Sequence, residues 1–509
     1  YNAVADALGN AGLDSTSAFN DAIDDLVAQG GGVLYIPHTN GTRFNITMET
    51  ETVKNYSNIT ITSFGTGRIF VKDTTPTSNP SRGNFVKLED GTDNFKMSNL
   101  DILSSEGCLS NNFENGIICQ DALSSWSNVT IENCKIYAES RPDTQIGNHA
   151  ITFYRDTTNA IDTATCLNLT IRDCDIYITG SSVYGIHILI DNNFIRMTAF
   201  DDNSNDANNA IAIYGDSRNF SIINNTVDGS GHSAIAASMA ENGVIAFNRV
   251  YNVSISSEAG IEIEYKSGHG TNLTNPHFQT KSVKVHNNYV EKCYYGILVT
   301  SRELNQAEAN DTSPYDVQIT NNTIYDCEEV GIIVAKTISD STPDYTQRIK
   351  DVLIDGNYIE NVPTNDCTGI RIYDAQDVII KNNTVKGGDK CAILGRNTNI
   401  GTLGSFIIDS NKFTADSDTN GHVFLIESAP FINRFLFNNN FFDGNGQGVA
   451  GLQFNTNIVT GNLVMCRNNT FMNCTDGIMS ISEQADLAGS SFMNNYAIDC
   501  SARGYRLTI

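Results

Sequence analysis

One pattern recurs along this chain and limits what it can fold into: an apolar residue, two positions, an asparagine, one position, then a second apolar residue. It reads Ile222, Asn225, Val227, then Ile245, Asn248, Val250, then Val285, Asn288, Val290, and then Ile319, Asn322, Ile324. Ile354, Asn357, Ile359 follow, then Ile380, Asn383, Val385, then Ile408, Asn411, Phe413 and Phe437, Asn440, Phe442. Ile131, Cys134, Ile136 and Ile171, Cys174, Ile176 open the series with cysteine in the asparagine place. Near Met465 the pattern returns, and Asn468 to Phe471 reads as slipped by one residue.

A further strand follows each asparagine turn: Gly185-Ile186-His187-Ile188, Gly260-Ile261-Glu262-Ile263, Gly296-Ile297-Leu298-Val299, Gly331-Ile332-Ile333-Val334 and Gly369-Ile370-Arg371-Ile372. Alternation with period two marks strands with one buried face. Short strands and turns repeating every few tens of residues mean a solenoid, because no single repeat can bury its apolar face alone. The expected fold is therefore all-β, a right-handed single-stranded parallel β-helix. Residues 41–509 form one continuous domain in this reading. Variable spacing puts insertions in outer loops, the longest near 191–208 and 301–315. The asparagine column has two physical reasons. Asparagine tolerates the left-handed backbone of a sharp corner, and amides stacked at the strand spacing hydrogen-bond to one another. Sequons occur at Asn128, Asn168, Asn321 and Asn382 among others, and several read as by-products of the Asn-Asn-Thr turn.

The N-terminus follows a different rule. Ser17-Ala18-Phe19, Ala22-Ile23 and Leu26-Val27 have helical period, Gly30-Gly31-Gly32 stops the helix, and Val33-Leu34-Tyr35-Ile36-Pro37 starts a strand. Residues 1–40 are thus expected to be a short helical cap over an otherwise open sheet end.

Bulk composition sets the functional limits. A length of 509 residues exceeds an ordinary single core, but coils that touch only their neighbours escape that limit. The net charge of −26 argues against nucleic acid as a partner, which needs clustered Lys and Arg. No run approaches a membrane-spanning length, so membrane insertion is not expected. Tyr1-Asn2-Ala3-Val4 is no signal peptide, which fits a removed leader or a cut from a longer chain. The 12 cysteines contain no metal-type C-x-x-C pair, and neither a metal nor a cofactor is expected. Cys293, Cys327, Cys367, Cys391 and Cys474 precede similar strands and read as stacked core residues, whereas Cys108 and Cys119 flank a loop and are the disulfide candidates.

The segment Leu13-Asp14-Ser15-Thr16-Ser17-Ala18-Phe19-Asn20-Asp21-Ala22-Ile23, followed by Gly30-Gly31-Gly32-Val33-Leu34-Tyr35-Ile36-Pro37, resembles the opening motif of the pectate-lyase-like β-helix superfamily. Phage tailspikes, polygalacturonases and mannuronan C5-epimerases share it. The usual paired Asp before the Thr is reduced here to Asp14-Ser15. The Asp-Pro-His-Glu signature of the epimerases is absent from the sequence, which disfavours that activity. The resemblance implies a polysaccharide or cell-surface glycan as partner, a secreted, cell-surface or virion location, and a homotrimer of the tailspike kind. It leaves the reaction open, because one fold hosts many functions.

If the isoleucines of each Gly-Ile strand point inward, their neighbours form two outward columns. The first is Thr152, His187, Ala212, Ala236, Glu262, Leu298, Ile333, Arg371; the second is Tyr154, Leu189, Tyr214, Ser238, Glu264, Thr300, Ala335, Tyr373. Carboxylates beside small residues, with aromatic rings above and below, suit an extended sugar chain. Glu262 and Glu264 are the expected catalytic pair, with Asp216 as a stand-in; Tyr154, His187, Tyr214, Lys266, Arg371 and Tyr373 are the expected sugar contacts. Two residues apart on a strand is roughly 6.5–7 Å between Cα atoms, near the roughly 6.5–9.5 Å of inverting glycosidases. Adjacent like charges also favour one protonated and one ionised carboxyl. A tailspike-like depolymerase, acting by hydrolysis or lyase chemistry, is one reading. A non-catalytic glycan adhesin and a structural surface-layer or filament component are the others, and an ordinary solvated strand face accounts for the same charges.

Overall fold

The structure is a computed structural model that describes residues 15–38, 44–47, 53–72, 85–104, 116–120, 125–138, 149–153, 166–177, 180–183, 186–197, 209–215, 217–253, 258–266, 280–302, 313–336, 349–360, 367–373, 375–395, 403–416, 422–427, 432–455, 463–480 and 490–507. Cys108, Tyr154 and Asp216 lie outside the described residues, as does the side chain of Lys266. The chain falls into two compact units, residues 1–244 with 269–275, and residues 245–268 with 276–509. Each unit is a stack of right-handed parallel β-helical coils.

The helix Thr16–Ala28 begins the first unit and buries Phe19, Ala22 and Ile23. Gly30 ends it in the left-handed conformation (φ 79°), and the Gly31 amide bonds back to the Leu26 carbonyl at 2.8 Å. Strand Gly32–Tyr35 then pairs in parallel with Ile59–Thr62. A Cβ on Gly31 would come within 2.5 Å of the Asn58 side chain, so only glycine lets the helix turn directly onto the first coils.

A coil has three strands. In the second unit one coil is Lys281–His286, Tyr289–Cys293 and Tyr295–Arg302; the next is Tyr315–Thr320, Thr323–Tyr325 and Val330–Lys336. Each strand pairs in parallel with its counterpart a coil away, as in Val283↔Val317, Val290↔Ile324 and Ile297↔Ile332. The repeating apolar residues are the core: Val285, Val290, Ile297, Ile319, Ile324 and Ile332 have no exposed surface.

Between first and second strands runs the asparagine ladder. Asn288, Asn322, Asn357, Asn383, Asn411, Asn440 and Asn469 are all buried. Each Oδ1 accepts the backbone N–H and the side-chain Nδ2–H of the asparagine one coil before it. For Asn322 these bonds, from Asn288, are 3.0 and 2.9 Å long. The Asn322 amide in turn donates to the Val285 carbonyl at 2.9 Å and to Asn357 Oδ1 at 3.0 Å. In the first unit the same ladder joins Asn193 to Asn225, and Cys174 gives its backbone N–H to Asn193 Oδ1.

Three sequence expectations are corrected here. The left-handed residue is not the ladder asparagine but the one before it: Asn287 (φ 56°), Asn321 (54°), Asn382 (55°), Ser410 (57°) and Asn439 (55°). The corner and the ladder are thus two jobs in adjacent positions. Second, nothing slips near Met465. Cys466 supplies the leading apolar residue, and Asn469 and Phe471 follow in register, with Phe442 opposite Phe471. Third, residues 191–208 are not one long loop. Ile190, Asn193 and Ile195 are a further repeat, and Phe194–Arg196 is a strand.

The four sequon asparagines, Asn128, Asn168, Asn321 and Asn382, all hold left-handed corners. Three of their amides donate to a neighbouring coil: Asn128 to Asp93, Asn168 to Asn128 and Asn382 to Asp355. Among the described residues ten cysteines are free thiols, nine of them buried and Cys500 partly exposed. The disulfide candidates Cys108 and Cys119 are not among them, because Cys108 and the side chain of Cys119 lie outside the described residues. Burial raises the thiol pKa of Cys293 and of Cys367 to about 12, so both are un-ionised and inert at neutral pH.

Replacing Asn322 with Leu leaves the Asn288 donors and the Val285 carbonyl without their partner in a dry turn. Each such group costs about 1–3 kcal/mol. The expected outcome is a clearly lower melting temperature for Asn322→Leu than for the exposed corner variant Asn321→Gly, measured by circular dichroism.

Candidate functional site

The third strands of the second unit carry most of the expected site. Register aligns Glu262 with Leu298, Ile333 and Arg371, and Glu264 with Thr300, Ala335 and Tyr373. Close approach of backbones explains the glycine that opens these strands. A Cβ on Gly296 would meet the Gly331 carbonyl oxygen at 2.4 Å, so the coils stack tightly only without a side chain there.

The Glu262 end of this face is covered, whereas Arg371 and Tyr373 at its other end are partly exposed. Glu262 is 0% exposed and Glu264 3%. Leu298 and Ile333 join Ala259, Tyr295, Val330 and Ala335 in an apolar cluster, and Tyr294 and Tyr373 pack against it. An oxygen of the Glu258 carboxylate lies within 4.8 Å of one of Glu262. Thr280 donates to the Glu264 backbone carbonyl at 2.6 Å, anchoring the strand end.

One rim of the cluster is polar. Arg371 Nη1 donates to Glu329 Oε1 at 2.6 Å, and Nη2 reaches Thr368 Oγ1 at 3.3 Å. Tyr294 also bonds to Glu329. That bond, with burial, pushes its phenol up to about 12, so Tyr294 is a neutral hydrogen-bonding group at neutral pH. The Arg371 guanidinium lies 6.0 Å from the Tyr373 ring centroid. Burial raises the Tyr373 phenol, and the Arg371 charge partly opposes this. The Tyr373 ring leans over Gly395, where a Cβ would come within 2.7 Å of it and 3.4 Å of the Glu427 side chain.

The other expected residues lie elsewhere. His187 does not belong to the outward column. The strand Ile186–Asp191 is the first strand of its coil, paired with Cys166–Arg172 and Ser217–Ile223. Register puts Ser182 opposite Thr152 and Ala212. His187 is exposed at a left-handed corner (φ 60°), flanked in the stack by Asn168 (57°) and Asn219 (56°). It replaces a corner asparagine, and its Gly-Ile context imitates a third strand. Leu189 moves with it. Tyr214, in the first unit, accepts a short bond on its hydroxyl from Asn209 Nδ2. Lys266 ends its strand opposite Arg302.

Glu258, Tyr294 and Glu329 escaped the sequence reading. Their signal was present: each stands two positions before the glycine of its Gly-Ile strand, as in Glu258-Ala259-Gly260-Ile261 and Glu329-Val330-Gly331-Ile332.

No family model and no curated protein matches this chain. Solved structures do match it. A mannuronan C-5 epimerase module of Azotobacter vinelandii is 15% identical, covers 86% of this chain and 94% of its own, and has a TM-score of 0.40. PfbA, a surface adhesin of Streptococcus pneumoniae, is 14% identical over 99% of this chain and 91% of its own, with a TM-score of 0.43. A tailspike protein of an E. coli bacteriophage, in complex with a pentasaccharide, is 12% identical over 97% and 75%, with a TM-score of 0.43. The chain is similar to these proteins in fold.

The raised phenol gives a pH test. The folded pKa of Tyr294 lies above its ordinary value near 10, so its stabilising bond is fully present below pH 10 and is lost as pH rises through about 12. Nuclear magnetic resonance of tyrosine ring carbons should show Tyr294 ionising late. Glu329→Gln should move that transition down toward the ordinary value.

Proposed function

We propose that this chain is an extracellular or virion-associated polysaccharide-processing protein, a depolymerase of the tailspike kind whose site is the outer face of the third strands in the second unit. The observation that carries the reading is the column geometry: Glu262 and Glu264 share registered columns with Arg371 and Tyr373, beside Tyr294 and Glu329. Carboxylates supply the acid and the base or nucleophile of glycoside hydrolysis. Aromatic rings and a guanidinium bind sugar faces and hydroxyls. The Glu262 and Glu264 spacing along one strand, roughly 6.5–7 Å between Cα atoms, is nearer the inverting than the retaining range. Tyr294, held neutral by Glu329, is a poor proton-abstracting base, which favours hydrolysis over lyase chemistry at this face. Asp216 and Tyr154 stay in the proposal only as the acid and the ring that the sequence pattern offers, because both lie outside the described residues; His187 leaves it, because it sits on a first strand. The comparison proteins, an epimerase of mannuronan, a surface adhesin and an oligosaccharide-bound tailspike, fit a glycan partner and a location outside the cytosol.

A second reading, a glycan- or receptor-binding protein without catalysis, is favoured by one specific observation: Glu262 and Glu264 are both buried. Incubation with a panel of polysaccharides separates the two. New reducing ends mark a hydrolase, unsaturated products a lyase, and retention without products a binder. On a cleaved substrate, Glu262→Gln and Glu264→Gln should each lower turnover by at least about a hundredfold while circular dichroism stays unchanged. Wild-type turnover in both variants would place the reaction elsewhere. The oligomer proposed with this reading is a parallel homotrimer, and light scattering that gives a monomer at micromolar concentration would exclude it.

A further inference from the structure

The second strands of the second unit carry an aromatic stripe that the proposed active face does not use. Tyr251, Tyr289, Tyr325 and Tyr358 come from four consecutive coils, one ring per coil. Register shows that they swap columns at every step. Tyr251 pairs with Glu291 while Tyr289 pairs with Arg249; Tyr289 pairs onward with Thr323 while Glu291 pairs with Tyr325; Tyr325 then pairs with Glu360, and Thr323 with Tyr358. Each coil therefore shows one ring and one polar side chain, and the two exchange sides from coil to coil.

The rings form a connected rail. Successive centroids are 5.8, 5.7 and 5.6 Å apart, with the planes tilted by 50°, 45° and 56°. At those tilts no ring covers its neighbour's face flat, and all four residues are partly exposed. In the first unit, by contrast, Tyr137 and Tyr177 stack at 4.7 Å and 2°, which uses up the facing surfaces.

Two of the four rings are held by hydrogen bonds at their hydroxyls. The Tyr289 hydroxyl donates to Glu291 Oε2 at 2.9 Å. The Tyr358 hydroxyl donates to Glu360 and accepts from Lys386 Nζ at 2.8 Å, and the Lys386 ammonium sits 5.0 Å from the same ring centroid. Rings fixed before binding lose little entropy on binding.

We propose that this stripe is a second carbohydrate-binding surface, a rail for an extended neutral glycan running along the coil axis. Pyranose rings present apolar C–H faces to aromatic rings and hydroxyls to flanking polar groups. The alternation of one ring with Arg249, Glu291, Thr323 or Glu360 supplies both at each coil. The ligand is neutral because the acids of the rail are balanced by cations, Glu360 by Lys386 and Glu291 by Lys292, which takes up the charges that would hold a polyanion on a chain of net charge −26. This inference does not depend on catalysis at the third strands. The competing explanation is that the tyrosines only hold the sheet together as cross-strand pairs.

The test is affinity electrophoresis of the full chain in gels containing dextran, galactomannan or xyloglucan, with alginate as the anionic control. Tyr325→Ala removes an inner ring of the rail; Tyr325→Phe keeps the ring. The wild type should be retarded by at least one neutral glycan and not by alginate. Tyr325→Ala should bind it roughly three- to tenfold more weakly, Tyr325→Phe should bind like the wild type, and both should keep the wild-type circular dichroism spectrum. Glu262→Gln should migrate as the wild type, so loss of cleavage and loss of rail binding are separate results. No retardation in any neutral gel, equal retardation of Tyr325→Ala, or equal retardation by alginate overturns the proposal. A lower melting temperature of Tyr325→Ala with unchanged retardation assigns the rings to sheet stability alone.

Discussion

The buried amide ladder is the interaction on which the rest depends. A solenoid has no long-range contacts to correct its register, since each coil touches only its neighbours. A one-residue slip in any strand would exchange core and surface. Asn322 prevents this because its Oδ1 accepts two donors from Asn288 while its Nδ2 bridges Val285 and Asn357. Hydrogen bonds in a dry interior are directional, and an unmade one is costly, so a coil that slips loses several at once. Apolar contacts between Ile319, Ile324 and their neighbours reward burial but specify position weakly. The ladder fixes the corner, the corner fixes the second and third strands, and those strands carry every candidate functional column.

Much of the fold was legible because the ladder imposes a sequence rule. Asparagine three residues after one apolar position and two before another is needed wherever a coil turns, and the core accepts few alternatives. The errors came where other residues do the same work. Cys174 holds a ladder position with its backbone N–H to Asn193 and its thiol to the Ile131 and Arg172 carbonyls. Cys466 fills an apolar slot, and that hid the repeat around Asn469. His187 takes a left-handed corner that most coils give to asparagine, and the adjacent Gly185-Ile186 then reads as a third strand. Period two cannot distinguish the strands of a coil, because all of them bury alternate residues.

The candidate site was legible in direction but not in environment. Alternation correctly separates Glu262 from Ile261 and Ile263. It carries no information on what lies over the outer face. Leu298 and Ile333, one and two coils from Glu262, show why: an outward position filled by a large apolar residue calls for cover, and here it belongs to an apolar cluster. Two such residues in the column with an acid were the available sign that Glu262 is buried.

The two faces of the second unit differ in how they treat aromatic rings, and the difference follows from the neighbours of each ring. At the start of the third strands, Tyr294 and Tyr295 meet edge to face at 4.8 Å; Tyr295 is buried in the apolar cluster, and the half-buried Tyr294 packs against it. On the second strands the tyrosines alternate with Glu291, Thr323 and Glu360, whose polar ends stay hydrated and cannot close over an apolar ring. A ring with polar neighbours on its own strand and on the adjoining coils stays partly exposed, and at Tyr289 and Tyr358 the hydroxyl takes the carboxylate of the same strand. Exposure and rigidity then arise together from one alternation of residue types. That combination suits a surface that must hold a flexible ligand without rearranging, and the coil repeat extends it along the axis at the interval at which the backbone itself repeats.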